Sequence, residues 1–362
     1  NWINQADNDF ADLLPLCSKE TKAAKTPNKE RALFKLYSLG VSTNRDEWLY
    51  DGHRETLAAK AAFLAERYTK QQSNAEFDGS IKWSRNLKRR CEQGRAEAFA
   101  ESSIRSAHYR PFVQRWLYDS ALFVDEVGAK PETFPIAGQN QAISVMGEAT
   151  DKPFSALVAT SPADMHYMGA GASIQILPLY RYDESGNRVD NITDWGVRQF
   201  EKRYGKQAGI SRESIFHYVY AVLHNPAYRE KYALNLKREL PRIPFYDDFA
   251  RWAAWGQELL ALHIGFETVE PAPLQRIDLP GIATPKPRLK ADPAAGRILI
   301  DEATTLANIP PAAWQYRLGN RSALEWVLDQ YKESTPRDPT IREKFNTYRF
   351  ADYKEKVIDL LL

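Results

Sequence analysis

Ile174-Gln175-Ile176-Leu177-Pro178-Leu179-Tyr180-Arg181-Tyr182 is the stretch that decides the fold class. It is rich in β-branched and aromatic residues, and Glu184-Ser185-Gly186-Asn187 ends it as a turn. Such a run reads as a strand. Three upstream runs share its character: Phe112 to Tyr118, Ala142 to Met146 and Phe154 to Thr160. Together they predict one mostly antiparallel or mixed sheet between about Ser102 and Tyr182.

On either side the apolar period becomes helical. Leu57, Ala61, Phe63, Leu64 and Tyr68 form a stripe from about Gly52 to Lys70, broken by Gln71-Gln72-Ser73-Asn74. The first hundred residues read as helical and solvated. Downstream, Thr193 caps a helix ending before Gly205, and Ser211 caps one carrying Ile215, Tyr218, Val219 and Val222. Asn225-Pro226 opens a helix from Ala227 to Leu240, stopped by Pro241 and Pro244, and another spans about Asp247 to His263. Val269 to Pro293 reads as a proline-rich extended connection, Arg297 to Asp301 as an edge strand. Ser322-Ala323-Leu324-Glu325 is a capping box that opens a helix through Tyr331.

The expectation is an α+β chain with a helical N-terminal segment, a central mixed or antiparallel sheet, a helical layer and a C-terminal α/β extension. Its expected regions are 1–100 (helical), 101–190 (β-rich core), 191–265 (helical) and 266–362 (proline-rich connection and C-terminal α/β segment). With 362 residues, 43% hydrophobic and 27% charged, the chain has material for a large core and is not disordered. Cys17 and Cys91 are its only cysteines, too few for a disulfide scaffold and suited to a reducing cytoplasm. Mean hydropathy is −0.53, and no apolar run approaches the ~18 residues of a membrane span. Asn1-Trp2-Ile3-Asn4 has no signal-peptide character and no initiator methionine, so the chain is expected to be a piece of a longer protein. The net charge of +2 leaves any nucleic-acid role to local patches.

Catalytic motifs in the sequence are absent or incomplete. No GxxxxGK[ST] phosphate loop occurs. Met168-Gly169-Ala170-Gly171-Ala172 holds a GxG that precedes a strand rather than following one, so it reads as a turn. Asn225-Pro226-Ala227-Tyr228 approaches the loop with which adenine methyltransferases hold and stack a flipped base, but it lacks the second proline and lies where a helix starts. Asn225 and Tyr228 therefore carry an alternative reading, a self-contained base-modifying enzyme; a protein-interaction scaffold is a further one. His53, His108, His166, His217, His224 and His263 lack metal-ligand spacing and read as structural.

Two basic and aromatic segments stand out. Lys82-Trp83-Ser84-Arg85-Asn86-Leu87-Lys88-Arg89-Arg90 places Lys82, Arg85 and Arg89 at helical spacing, which suits phosphate contacts, and Lys88 adds to the same cationic surface. Tyr109-Arg110-Pro111-Phe112-Val113-Gln114-Arg115-Trp116-Leu117-Tyr118 offers Arg110 and Arg115 to a DNA backbone, to guanine edges or to carboxylates inside the fold, while its rings suit a core. The loop from Pro131 to Gln141 carries Gln139, Asn140 and Gln141, with Gly138 to allow close backbone approach. Side-chain amides match adenine N6 and N7 in the major groove, which makes these three the candidate base readers.

Several segments resemble a known family when taken in order. They are Leu36-Tyr37-Ser38-Leu39-Gly40-Val41-Ser42-Thr43-Asn44-Arg45-Asp46-Glu47-Trp48, the Tyr109 to Tyr118 segment, Leu177-Pro178-Leu179-Tyr180, Asn191-Ile192-Thr193-Asp194-Trp195, Tyr218 to Arg229, and Leu240-Pro241-Arg242-Ile243-Pro244. From about residue 30 to residue 330 the chain resembles the C-terminal specificity region of single-chain Type ISP restriction–modification enzymes. The resemblance implies a polypeptide with an Mrr-like nuclease, an ATP-driven double-strand DNA translocase and an adenine-N6 methyltransferase ahead of a target-recognition region. It implies double-stranded DNA and those neighbouring domains as partners, and no membrane. S-adenosylmethionine, ATP and Mg2+ are expected elsewhere in such a polypeptide, with no cofactor, metal or catalytic residue in this region. Recognition loops differ between such enzymes because their sites differ, so the resemblance assigns no base-reading residue.

Overall fold

The computed structural model describes residues 8–71, 76–148, 150–169 and 171–362. Asn1 to Asn4, Gln72 to Asn74 of the helix-breaking segment, and Ala170 of the GxG turn lie outside the described residues. The structure is α+β, and the chain divides into two compact units interleaved in sequence. One comprises residues 1–40, 128–269 and 317–321, the other 41–127, 270–316 and 322–362.

The first unit is built on a four-stranded antiparallel sheet ordered Ser38–Leu39, Ile174–Pro178, Ala142–Met146, Ala156–Ala159. All of Ala142–Met146 and Ala156–Ala159 is buried. That explains why these strands read as continuous apolar runs rather than alternating ones. Ile143, Val145, Val158 and Leu177 share a core with Ile215, Phe216, Val219 and Leu223 of the Arg212–His224 helix and with Phe249 and Leu260 of the Phe249–Ile264 helix. Tyr180–Tyr182 pairs with Arg188–Asp190 as a hairpin around the turn expected at Glu184 to Asn187. Buried Asn191 ties an N-terminal segment to this unit: its Nδ2 donates to the Leu36 and Pro178 carbonyls, and its Oδ1 accepts from Leu36 N.

The second unit holds two further sheets. Tyr50–Asp51, Val113–Tyr118 and Ile104–Arg110 form an antiparallel three-stranded sheet. It shares a core with Leu57, Ala61, Leu64 and Tyr68 of the Arg54–Lys70 helix. Gln275–Asp278, Thr304–Ala307, Arg297–Asp301 and Pro287–Asp292 form, in that order, an antiparallel four-stranded sheet. Ile298, Ile300 and Leu306 of this sheet pack with Val327 and Leu328 of the Ala323–Gln330 helix and with Val357 and Ile358 of the Lys354–Leu361 helix.

Five expectations are corrected. The β-rich runs do not form one sheet, because Val113–Tyr118 pairs with Ile104–Arg110 and Tyr50–Asp51 while the later runs pair with one another. Arg297–Asp301 is an interior strand, with Ile298 and Ile300 buried in alternation. The proline-rich segment contributes two strands of that sheet; its prolines cluster between Gln275–Asp278 and Pro287–Asp292 and at their ends. The helix from Ala227 to Leu240 is two short ones, Pro226–Lys231 and Ala233–Leu236, split at Tyr232. The first hundred residues are also less helical than expected: Arg54–Lys70 and Arg85–Glu92 are their longest helices, and the region supplies much buried apolar surface.

The close crossing of the Arg212–His224 and Phe249–Ile264 helices depends on Gly256, where a Cβ would stand 1.8 Å from the His217 carbonyl oxygen. Alanine would gain roughly 1 kcal/mol of helix propensity there. Against that, forcing a packed backbone apart costs about 1–3 kcal/mol or more. Gly256→Ala is expected to lower the urea midpoint of unfolding; a raised midpoint would show that the two helices separate freely.

Candidate nucleic-acid interface

The Arg85–Glu92 helix of the second unit forms because Ser84 caps it, the Ser84 Oγ accepting from Leu87 N. Leu87 and Cys91 are its buried face. Arg85 and Arg89, four residues apart on the helix, are exposed, as are Lys82 and Lys88. Among the described residues none of these four is in an ion pair. Lys82 precedes the cap, so it extends the basic surface from the lead-in rather than from the helix. The Lys88 ammonium lies 4.7 Å from the centre of the Phe77 ring. Arg90, by contrast, is spent on the fold: it donates to the Leu122, Val124 and Asp125 carbonyls at 2.8–2.9 Å.

A buried charge fixes this helix in place. The Arg45 guanidinium is fully buried and pairs with Asp125 at 3.0 Å. It also donates to Ser84 Oγ, the Phe123 carbonyl and the Lys82 carbonyl. Asp125 in turn accepts from Ser84 Oγ at 2.5 Å and from Asn44 Nδ2 at 2.7 Å. Burial by itself raises the Asp125 pKa, but these hydrogen bonds and the Arg45 charge outweigh it, and the carboxyl sits below its ordinary value.

The first unit carries a polar groove of about 640 Å³. Gln139 and Gln141 line it with Thr160, Arg188, Glu213 and His217. The groove rests on the hairpin and on the Arg212–His224 helix. Tyr180 donates to Glu213 at 2.7 Å, and the Arg188 guanidinium stacks 4.2 Å from the centre of the Tyr180 ring. Burial and the Glu213 bond push the Tyr180 hydroxyl up to about 12. Burial lowers the His217 pKa although the Glu213 charge opposes it, and this favours the neutral imidazole, whose ring offers one donor and one acceptor. Amides, a neutral imidazole and a guanidinium together can match the donors and acceptors of a base-pair edge.

Asn140 does not share that freedom. It is 7% exposed. Its Nδ2 donates to the Thr133 and Tyr180 carbonyls at 2.8 and 2.6 Å, and its Oδ1 accepts from Gln141 N and Tyr180 N. The amide is thus consumed in holding the loop, which leaves Gln139 and Gln141 as the groove-lining amides of the three. Gly138 serves packing: a Cβ there would stand 2.5 Å from Pro135 Cγ and 2.8 Å from Tyr182 Cζ. The segment from Pro131 is also not pure loop, because Lys130–Thr133 is a helical turn. In the sequence Arg188 and Glu213 do not stand out, and His217 reads only as structural. The i, i+4 spacing of Glu213 and His217 was visible, but their meeting with Gln139 depends on long-range packing.

The remaining candidates have contacts within their own unit. Arg115 donates to the Gln330 carbonyl at 2.7 Å and lies over Tyr331, and Arg110 stacks 4.0 Å from the centre of the Tyr109 ring. Asn225 caps the Pro226–Lys231 helix and donates to the Tyr246 hydroxyl. Tyr228 is 1% exposed and donates to the Arg242 carbonyl. A ring so buried cannot stack on an extruded base, so the base-modifying alternative is withdrawn. Tyr220, His224 and His263 meet in the core, with Tyr220 and His263 2.6 Å apart, and burial lowers the pKa of both imidazoles. His108 is buried as well, and His166 approaches the Ala172 carbonyl. Among the described residues no three histidines, cysteines or carboxylates could hold a metal ion.

Residues 32–360 match the family of Type ISP C-terminal specificity domains. Among solved structures, the chain is similar along its whole length to part of DrdV in a DrdV–DNA complex, with a TM-score of 0.92 and 48% identity. It is likewise similar to part of a nuclease-deletion mutant of LlaGI, a Type ISP restriction–modification enzyme in complex with a DNA substrate mimic (TM-score 0.80, 28% identity). The ATP-dependent Type ISP enzyme LlaBIII, bound to DNA, shares the fold at a TM-score of 0.83 and 24% identity. The chain covers 37%, 33% and 24% of those three chains respectively. No match was found among curated proteins.

Arg45→Ala is expected to destabilise the second unit by about 3–5 kcal/mol, because Asp125 is left charged and buried. The Asp125 carboxyl is held below its unfolded value, so its contribution is complete above the ordinary carboxylate range and disappears as pH falls through the folded value. The stability gap between wild type and Arg45→Ala, followed by denaturant titration, should therefore narrow in acid. Asn140→Ala should cost roughly 1–3 kcal/mol for each buried group left unpartnered. Gln139→Ala should stay within about 0.5 kcal/mol of wild type. Equal melting temperatures for Asn140→Ala and Gln139→Ala would refute the division of roles between them.

Proposed function

Since the chain belongs to the family of Type ISP C-terminal specificity domains, we propose that it is the DNA target-recognition module of a Type ISP restriction–modification polypeptide. The observation that carries this reading is the family match over residues 32–360. Its likeness to DrdV and LlaGI chains held in complexes with DNA or a DNA mimic supports it. The chain spans about a third of those two chains. On this reading an adenine-N6 methyltransferase and a translocase-nuclease lie elsewhere on the polypeptide, with S-adenosylmethionine, ATP and Mg2+ bound there. The module itself binds duplex DNA and sets where those activities engage. Among the described residues no helix is long and apolar enough to cross a membrane, and we place the protein in the cytoplasm with its DNA.

The two surfaces divide the work by chemistry. Among the described residues Lys82, Arg85, Lys88 and Arg89 are cations without carboxylate partners, suited to phosphate contacts that give affinity on any sequence. Gln139 and Gln141, with Arg188 and His217 beside them, present directional donors and acceptors suited to base edges. Arg115, whose guanidinium donates to the Gln330 carbonyl, is assigned to bracing the fold, while Arg110, half-exposed beside Tyr109, stays a candidate for the DNA backbone.

Fluorescence anisotropy of the full chain on duplex DNA across a salt series tests this reading. Wild type should bind with an affinity that falls linearly in log–log form as salt rises. Replacing Lys82, Arg85, Lys88 and Arg89 together by alanine should lower that slope by about 0.9 for each phosphate that is no longer neutralised. An unchanged affinity and slope would reduce the four residues to a solvated surface. Absence of duplex binding by wild type would remove the recognition reading altogether.

A further inference from the structure

Ile136 is 76% exposed, more than any other large apolar side chain among the described residues. A single exposed aliphatic residue is ordinary; what distinguishes this one is the rigidity of its mounting. On its N-terminal side, Phe134 is buried and its N–H donates to the Lys130 carbonyl at 2.7 Å. On its C-terminal side, Gly138 N donates back to the Pro135 carbonyl, closing a turn over Ile136 and Ala137. Gly138 is packed against Pro135 and Tyr182, and the Tyr182 hydroxyl donates to the Gln139 carbonyl at 2.7 Å. Asn140 then locks the end of the turn with its four hydrogen bonds. A β-branched side chain, stiff at χ1, is thus held out into solvent on a braced turn, three residues before the amide of Gln139 at the groove.

We propose that Ile136 reads thymine, by apolar contact with a C5-methyl group in the major groove. The inference rests on the recognition reading above. An adenine edge offered to Gln139 or Gln141 belongs to a base pair whose other member is thymine. In the major groove that pair displays the adenine N6 and N7 on one side and the thymine methyl on the other. A polar amide cannot profit from the methyl, whereas a fixed aliphatic tip can. The turn therefore carries two complementary readers, an amide for the purine and an isoleucine for the methyl. A thymine is then distinguished from a cytosine in the same register by shape and apolarity as well as by its hydrogen-bond pattern.

The test uses the full chain and duplexes that it selects from a random-sequence library. Each thymine of the selected site is replaced in turn by deoxyuridine, which removes the methyl group alone, and binding is followed by anisotropy. Wild type should lose roughly four-fold in affinity at one position, the worth of one buried methyl. Ile136→Ala should bind the thymine and uracil forms of that position equally and keep the wild-type response at every other position. Because Ile136 is exposed, the variant should also keep the wild-type melting temperature, which separates a missing methyl reader from a damaged fold. If Ile136→Ala retains the full thymine–uracil difference, another group reads the methyl and the inference fails. It also fails if 2-aminopurine placed beside that position brightens on binding wild type but not Ile136→Ala, since the side chain would then be wedging between stacked bases. If the library yields no enriched sequence, the recognition reading itself fails, a result distinct from an enriched site with no methyl-sensitive position.

Discussion

The second unit depends on one buried charge. Arg45 is closed off from solvent, and the desolvation of a guanidinium costs several kcal/mol unless each of its donors finds an acceptor. Asp125, Ser84 and the carbonyls of Phe123 and Lys82 supply them. These partners come from separate segments, so satisfying one guanidinium fixes a helix cap, a lead-in and the loop that precedes Val127. The basic helix inherits its position from that arrangement: Ser84 caps it at one end, and Arg90 ties it to the same loop.

Buried amides do the corresponding work in the first unit. Asn191 joins the N-terminal segment to the end of the Ile174–Pro178 strand, and Asn140 joins the Lys130–Thr133 turn to the hairpin. An amide used on all sides specifies geometry because a displaced partner would leave a buried polar group unsatisfied. This frees the neighbouring Gln139 and Ile136 to face outward on a rigid support. Functional loops held by a rigid scaffold follow that logic: the support is polar and closed, and the side chains it carries are open.

The electrostatics of the chain are local. With a net charge of +2, nothing in the total favours a polyanion. Five arginines of the second unit nonetheless fall into two groups. Arg45, Arg90 and Arg115 are bonded into the fold, while Arg85 and Arg89 are left without ion-pair partners among the described residues. A dense basic run thus contains structural and solvent-facing cations side by side, and only their hydrogen bonds separate them.

The sequence by itself determined what depends on a few neighbouring residues. The Arg54–Lys70 stripe, the caps at Thr193, Ser211, Asn225 and Ser322, the turn after Tyr182 and the buried strands were all legible, because periodicity, capping and turn chemistry act over one or two turns of chain. So was the family, through motifs that occur in order. Only the tertiary structure decided which strands pair, why Arg297–Asp301 lies inside its sheet, and why Val113–Tyr118 belongs to a different sheet from Ala142–Met146. It also decided which polar side chains are spent: Asn140 and Arg115 look as available in sequence as Gln139 and Arg85. Availability is set by partners such as Tyr180 for Asn140 and Gln330 for Arg115, far away along the chain, and a hydrogen bond leaves no trace in the sequence around either of its ends.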